Sequence, residues 1–332
     1  MLAIGAGNVA ERFVFKFDDR EDRKSWSYVF VDHGFFDLIY LPMLPFLLIG
    51  HVIHAYGLFL VLTQGLWATF FTMSCFMLWA GFGVTAGSHR LWCHRSYEAR
   101  LPFRIFLMIG HTMSGQYSIV RWSAGHRTHH KYSDTDADPH NVKRGFHFSH
   151  LGWMLRKEHP LVDIKGASVD VSDILADPVA AFQDRHYPLL FFLFAFLLPV
   201  AVPILCFQES ILNSIVVCFF MRLVTQTHDT AFVNSAAHMF GEKPFNERIA
   251  STENSLVSFG AIGEGYHNFH HTFPYDYAAG ETGNLLNPTK LLIDVMASIG
   301  QAHRLRQASP ALVHRSRKHA TGFPPLPDNN NE

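Results

Sequence analysis

Charge and cysteine are both scarce in this chain of 332 residues. Charged side chains make up only 17% of it and the formal net charge is −1, so the chain lacks the overall basic excess that binds nucleic acid. Its four cysteines do not have the spacing of an extracellular disulfide framework, and three of them lie in apolar stretches. We therefore expect reduced thiols and no nucleic-acid partner.

The sequence also lacks a cleavable leader, because residues 1–24 are polar and include acidic side chains. Hydrophobic residues, in contrast, form 48% of the chain, and 31 residues are phenylalanine. A soluble domain rarely combines so much phenylalanine with so little charge, whereas lipid-facing helices do. The composition predicts an integral membrane protein that an internal helix targets to the membrane.

Crossing a bilayer takes about 20 mostly apolar residues, and four stretches qualify. They pair into two tight hairpins and lie at residues 36–56, 65–86, 187–207 and 210–230. Both hairpin turns lack Lys and Arg, whereas residues 90–185 are rich in both, so the positive-inside rule predicts cytosolic termini and a cytosolic central loop. The predicted fold is an all-α integral membrane protein with a mainly helical cytosolic part.

Three regions follow from these patterns. A cytosolic segment covers residues 1–35, the main domain with its four spans covers 36–303, and a cytosolic tail covers 304–332. The end of the tail is rich in Pro and Asn, a composition typical of disorder.

Nine of the 22 histidines fall into short groups near span ends or glycine-rich loops. They are His89, His94, His126, His129, His130, His238, His267, His270 and His271. The two H-x-x-H-H runs, at 126–130 and 267–271, place imidazoles near one helical face. His89 and His94 are five residues apart, which a regular helix would splay, so a metal between them requires a loosened helix end.

Neutral imidazole is the commonest metal ligand in proteins, and nine on one membrane face are difficult to explain as solvated surface. A structural zinc site takes four ligands, usually with thiolates, whereas nine imidazoles suit two metals with positions open for oxygen. Imidazole binds iron as well as zinc, so the ligands alone leave the metal open.

Polar residues beside the histidines are candidates for orienting them. A ligating imidazole usually donates its second ring proton to a carboxylate, and the nearby carboxylates are Asp134, Asp136, Asp138 and Glu264. The alternative for each is loop solubility or capping. Asn234 is a candidate for holding a metal-bound water through its amide, or for capping the end of its helix.

The segments around these histidines resemble the acyl-CoA delta-9 desaturase family of membrane enzymes. They are HRLWCHRSYEA, HRTHHKYSDTDADPHN, RGFHFSHLGW, NSAAHMFG and GEGYHNFHHTFPYDY, and the resemblance covers about residues 36–303. It implies that the nine histidines hold two irons, that Asn234 holds a water, and that the enzyme uses O2 to introduce a cis double bond into a long-chain fatty acyl-CoA. It also implies the endoplasmic reticulum membrane. Electrons would come from cytochrome b5 and its NADH-dependent reductase, as separate proteins because the chain has no fused b5 motif.

The resemblance breaks at positions that recognise the acyl-CoA head group in the family. Ala124 and Gly125 replace an Arg-Asp pair, Tyr117 replaces an asparagine, Ala231 replaces a tryptophan, and residues 41–43 replace Trp-Arg-Asn. Hydrogen bonds to charged groups contribute about 1.5–3 kcal/mol each, so losing them weakens recognition of CoA. The residues around the histidines match the family, whereas those that recognise the head group of the substrate differ.

Several candidate substrate contacts remain, and they are Met73, Met77, Gln116, Tyr117, Trp122, Arg156 and Lys157. Arg156 and Lys157 suit phosphates, or anchor the chain at the interface. Met73 and Met77 would close the floor of an acyl tunnel between the first two spans, or simply pack there.

Three classes of function stay open: an acyl desaturase, acting on acyl-CoA or another acyl lipid; a membrane di-iron hydroxylase; and a binding or regulatory protein with a vestigial site. Chain length and bond position do not follow from the sequence.

Overall fold

The computed structural model describes residues 43–281 and 286–320, with side chains as far as Arg317. The predicted segment over 1–35, the start of the first predicted span and the disorder predicted at the end of the tail lie outside these residues. Within them the chain is almost entirely helical. The four cysteines are free, as predicted.

The α-helices of the first half are α1 (Met43–Gln64), α2 (Trp67–Phe82), α3 (Leu101–Ser114), α4 (Ile119–Tyr132), α5 (Phe146–His150), α6 (Pro160–Gly166) and α7 (Ser172–Leu175). Those of the second half are α8 (Pro178–Phe191), α9 (Leu198–Phe207), α10 (Ile211–Ser214), α11 (Arg222–Asn234), α12 (Ala236–Met239), α13 (Ser255–Gly260), α14 (His267–Thr272), α15 (Pro288–Ser298) and α16 (Pro310–Ala320). The π-helical segments are Gly83–Cys93, Phe192–Leu197 and Ile215–Met221, and short 3₁₀ turns cover Val142–Arg144 and Gly152–Leu155. The strands are β1 (Glu98–Ala99) and β2 (Ala302–His303), which pair antiparallel.

Within residues 43–281 and 286–320, four continuous helical segments are long and apolar enough to cross a membrane, which agrees with the four predicted spans. They are α1 alone (Met43–Gln64), α2 with its π-helical continuation (Trp67–Cys93), α8 to α9 (Pro178–Phe207) and α10 to α12 (Ile211–Met239). Each extends beyond the predicted stretch at one end. Hydropathy marks only the apolar part of a helix, whereas the hydrogen-bonded backbone continues through polar turns that pack on neighbouring elements.

The segments form the two predicted hairpins. The first turns at Gly65, whose φ of +67° suits glycine, and the second at Gln208, which adopts φ +55°. Large apolar side chains of α1 face outward, and they include Phe46, Leu48, Ile49, Val52 and Phe59. A broad exposed apolar face on a spanning helix is the surface that lipid covers.

The largest buried apolar cluster lies where the π-helix after α2 meets α3, α4, α8 and α15. The backbones of the π-helix and α3 touch, because a Cβ placed on Gly83 would lie 1.9 Å from the amide nitrogen of His111. Gly110 faces the same contact, where a Cβ would lie 2.5 Å from the carbonyl oxygen of Trp79. This close approach fixes the end of the second segment, which carries the first histidines.

Candidate metal centre

His89 and His94 lie at the end of the second membrane segment, where the helix is π-helical. The amide of His94 donates a hydrogen bond to the carbonyl of His89 at 3.0 Å, which is the i to i+5 bond of that geometry. The wider turn brings residues five apart toward the same side, and the two ring centroids lie 4.9 Å apart. The loosened helix end that the spacing requires is this π-helix.

Helix α4 carries three of the histidines. Its N-cap residue is Ser118, whose hydroxyl accepts a hydrogen bond from the amide of Arg121. Nε2 of His126 lies 3.0 Å from Nε2 of His94, on the side of the π-helix. His129 points instead toward His238, at a ring-centroid distance of 5.1 Å. The sequence predicts that these histidines share one face of the helix. The face is instead divided between two groups, because residues i+3 and i+4 project to opposite sides of residue i, which here is His126.

The histidines of α14 divide in the same way. Nε2 of His267 lies 2.9 Å from Nε2 of His238 and 3.0 Å from Nε2 of His271. His270 faces the other way, and its Nε2 lies 3.0 Å from Nε2 of His130. Helices α4 and α14 thus each contribute histidines to two neighbouring groups.

All nine predicted histidines are brought together in two compact groups. The first contains His89, His94, His126, His130 and His270, and the second contains His129, His238, His267 and His271. Within each group, one nitrogen from every ring lies within 4.8 Å of all the others. Five and four imidazole nitrogens at such separations suit two metal ions that keep positions open for other ligands.

A buried carboxylate orients the first group. Oε2 of Glu264 lies 2.8 Å from Nδ1 of His89, and its other oxygen pairs with Nη2 of Arg90 at 2.8 Å. Burial alone raises the pKa of Glu264, but the charge of Arg90 and the contact with His89 outweigh it and hold the pKa at about 2. Glu264 is therefore ionised, takes the Nδ1 proton of His89 as a hydrogen bond, and leaves Nε2 free to bind metal.

Asp138 does the same in the second group. Its Oδ1 lies 2.8 Å from Nδ1 of His129, and although burial raises the pKa of Asp138, attraction to His129 lowers it overall. The other two predicted carboxylates do not orient a histidine. Oδ1 of Asp134 is 3.9 Å from Nδ1 of His238, too far for a hydrogen bond, and Asp136 is exposed because it lies on the outer side of its loop.

The chemistry of the donors fits metal binding. Burial lowers the pKa of six of the seven clustered imidazoles outside the spans, which are His94, His126, His130, His267, His270 and His271. His129 is the exception: burial lowers its pKa, but the charge of Asp138 and the hydrogen bond to it raise the pKa overall. A neutral imidazole ring has one nitrogen lone pair that can bind a metal ion. In His89 the hydrogen bond from Nδ1 to Glu264 leaves this lone pair on Nε2, which lies only 2.9 Å from Nε2 of His270. Nitrogens packed so closely repel one another unless a cation or a shared proton lies between them.

A cavity of about 130 Å³ is shared by both groups. Its lining includes His89 and His126 of the first group and His129 and His267 of the second. Residues from one side of each of two helices form its walls. Helix α2 contributes Ser74, Met77, Leu78 and Gly81, and α11 contributes Gln226, Asp229, Thr230, Val233 and Asn234. The cavity thus lies between the second and fourth membrane segments, whereas the sequence predicts a tunnel between the first two.

Among the predicted substrate contacts, Trp122 and Met77 line this cavity. Met73 does not, because it is 2% exposed and packs in a separate cluster with Val61 and Val217. Gln116 is one step removed: its amide oxygen accepts a hydrogen bond from Nε1 of Trp122 at 3.0 Å, and its amide nitrogen donates to the hydroxyl of Thr230 at 2.8 Å.

The remaining predicted contacts lie away from the cavity. Tyr117 stacks under the guanidinium of Arg121 at 4.0 Å, Lys157 is exposed, and Arg156 is half-buried, and none of the three lines the cavity. All three lie outside regular helices, on connecting segments, which generally run over the surface of a protein. Asn234 lines the cavity, and its role in holding a water stays a prediction.

Three residues at the site are not predicted by the sequence patterns. Arg90 is 1% exposed and fixes Glu264, while Gln226 and Asp229 face the cavity from α11. A signal exists for the last two, since an acid and an amide inside an apolar span are costly and usually functional. The pairing of Arg90 with Glu264 joins residues far apart in sequence and leaves no local pattern.

Comparison with known proteins agrees with this geometry. Residues 64–278, which include all nine histidines, match the family model described as fatty acid desaturase. Stearoyl-CoA desaturase 5 of Homo sapiens is 48% identical over 257 residues, covering 77% of this chain and 76% of that protein. An acyl-CoA desaturase of Ovis aries is 47% identical over 263 residues, covering 79% and 73%. The chain therefore belongs to the fatty acid desaturase family.

Proposed function

We propose that this protein desaturates a long-chain fatty acyl-CoA at the delta-9 position, using two irons held by the nine histidines. The observation that carries the proposal is the cavity between α2 and α11, which is lined by histidines of both groups and would bring a bound acyl chain to both at once. The proteins it resembles are named for stearoyl-CoA and acyl-CoA as substrates, which supports an acyl-CoA here.

The reaction removes one hydrogen from each of two adjacent methylenes, consumes O2, two electrons and two protons, and releases two waters. Bound iron supplies the oxygen chemistry that breaks unactivated C–H bonds. In the assignment we propose, the first group holds one iron, and the second group, with a water on Asn234, holds the other. Glu264 and Asp138 keep the ligands deprotonated at Nε2, as their contacts with His89 and His129 require.

The remaining cavity residues position the chain. Trp122 stacks on His126 with ring centroids 4.8 Å apart, and its hydrogen bond to Gln116 links it to Thr230 on the opposite wall. We infer that these contacts hold two specific carbons at the histidine groups. Met77 also lines the cavity from α2, and we expect it to limit how deep the chain reaches.

The protein is a multi-pass membrane protein, and we place it in the endoplasmic reticulum with both termini and the histidines on the cytosolic side. The support is the Lys- and Arg-rich loop over 90–185 and the resemblance to acyl-CoA desaturases. Electrons then come from cytochrome b5 and its NADH-dependent reductase on the same side.

Lipid analysis after expression tests the proposal. The full chain is expressed in cells that lack their own delta-9 desaturase, together with cytochrome b5 and its reductase, and lipids are profiled by mass spectrometry. We expect new cis-unsaturated acyl chains and about two irons per protein. Hydroxylated products would favour a di-iron hydroxylase, and new unsaturation from a different acyl donor, with none from acyl-CoA, would favour another acyl lipid as substrate. Iron-loaded protein that yields no product from any acyl donor would refute enzymatic function.

A further inference from the structure

The wall that α11 gives to the cavity is polar, although the proposed substrate is a hydrocarbon chain. Its stripe contains Gln226 and, one turn further on, Asp229 and Thr230, and Asn234 follows another turn on. The opposite wall on α2 is mostly apolar, since Met77 and its neighbours Leu78 and Gly81 form it. A chain in this cavity thus meets apolar surface on one side and amide and carboxyl groups on the other.

Two of these side chains have an acceptor oxygen without a partner in the described part of the chain. Gln226 is only 6% exposed, yet its Oε1 accepts no hydrogen bond from any described residue. Asp229 has neither a hydrogen-bond nor an ion-pair partner among those residues, and no charged side chain acts on its carboxyl group. Thr230 differs, because the amide of Gln116 already occupies its hydroxyl.

Both free groups accept hydrogen bonds, and they lie three residues apart on one helix, which places their side chains side by side. A plain methylene chain would strip water from both and return no hydrogen bond, which is unfavourable. A hydroxyl group on the chain would instead donate to one of them and stay in contact with the other. Sites built to hydrogen-bond a hydroxyl reject analogues that lack it by large factors, because the buried polar groups are then left unpaired.

We propose that the cavity binds an acyl chain that carries a hydroxyl group, recognised by Asp229 and Gln226. The proposal rests on the proposed function and names its substrate more closely. Asp229 precedes Asn234 by five residues of α11, which corresponds to about 7.5 Å along the helix. The hydroxyl therefore lies at about that distance along the chain from the carbons beside the histidines.

The test compares plain octadecanoyl-CoA with a panel of its hydroxylated isomers, the hydroxyl being moved one carbon at a time. Purified, metal-loaded full-length protein is assayed for turnover and, separately, for the rise in melting temperature that each ligand causes. We expect one isomer, or two adjacent ones, to be preferred over the plain chain about tenfold or more, and to stabilise the protein more.

Variants assign the preference to the two residues. D229A and Q226L should each reduce the preference several-fold, the double variant should abolish it, and D229N, which keeps an acceptor, should retain part of it. Glu247 is an exposed acid outside the cavity, so E247A is the matched control and should leave the preference unchanged.

Equal or faster use of the plain chain by the unmodified protein, with no extra stabilisation by any isomer, would overturn the inference and leave the proposed desaturation standing. Selective stabilisation by one isomer without any turnover would support the inference on the ligand and overturn the proposed reaction. A preference that survives in the double variant would also refute the role of Asp229 and Gln226.

Discussion

Nδ1 of His89 and Oε2 of Glu264 lie 2.8 Å apart, which ties the end of the second membrane segment to the loop that leads into α14. The two residues lie on different elements around the first histidine group, His89 on the π-helix and Glu264 on that loop. Arg90 completes it, donating to Glu264 and to the carbonyls of Tyr277 and Ala278 at 3.0 Å each. The contact therefore sets both the tautomer of His89 and the distance between the two elements.

Replacing Glu264 with Gln tests this role. The amide keeps the shape but loses the negative charge, so His89 is no longer held with its proton on Nδ1, and Arg90 is left buried without a counter-charge. We expect metal affinity to fall about 10- to 100-fold, the usual effect of removing such a partner. Chelator competition with metal analysis measures it. E247Q, at an exposed acid, is the control, and unchanged affinity in E264Q would contradict the orienting role.

Removal of one proposed metal ligand should lower metal content and activity more than E264Q does. His130 lies in the first group, with Nε2 3.0 Å from Nε2 of His270. We expect H130A to lower metal content by about one ion per protein and to abolish product. The exposed His147 lies outside both groups, so H147A should retain metal and activity. Normal metal content in H130A would show that the ligand assignment is wrong.

The sequence predicts some parts of the fold and the site, whereas others depend on contacts between distant residues. The two H-x-x-H-H runs single out six of the nine histidines, and the apolar stretches predict the four spans, because both depend on local periodicity. The division of each histidine run between two groups depends on which neighbour faces each ring, as His129 and His130 illustrate, and no local pattern contains it. The same holds for the cavity, whose walls come from two helices more than 130 residues apart in sequence, α2 and α11.

The contact between Gly83 and Gly110 allows a second kind of test. A methyl group on Gly83 would overlap the backbone of α3, which cannot move aside as a side chain can. We expect G83A to reduce the free energy of unfolding by about 1–3 kcal/mol or more and to lower metal content, since His89 lies two turns further on. Thermal unfolding in detergent measures this. A Cβ added at Gly260 would meet nothing within 4 Å, so G260A is the control and should cause little change.

Arg222 is fully buried in the fourth membrane segment and holds three elements together. It donates to the carbonyls of Met113, Ala195 and Cys218 at 2.7, 2.8 and 3.0 Å. R222M should leave these carbonyls without their donor and lower the free energy of unfolding by about 3 kcal/mol, given about 1–3 kcal/mol for each unsatisfied group. R248M, at an exposed arginine, is the control. Equal thermal stability of the two variants would argue against this role.

The last prediction concerns the altered head-group positions on α4. The resemblance leads us to expect an Arg-Asp pair at Ala124 and Gly125, and a Cβ at Gly125 would meet nothing within 4 Å, so that position has room for the start of a side chain. In the double variant A124R/G125D, one charge-assisted hydrogen bond to CoA is worth about 1.5–3 kcal/mol, so KM for acyl-CoA should fall about tenfold or more. Because the pair acts on binding, kcat should change little. A124L/G125A fills the same space without charge and should leave KM unchanged. If both variants lower KM equally, the gain comes from packing, and the missing charges do not explain how this chain treats CoA.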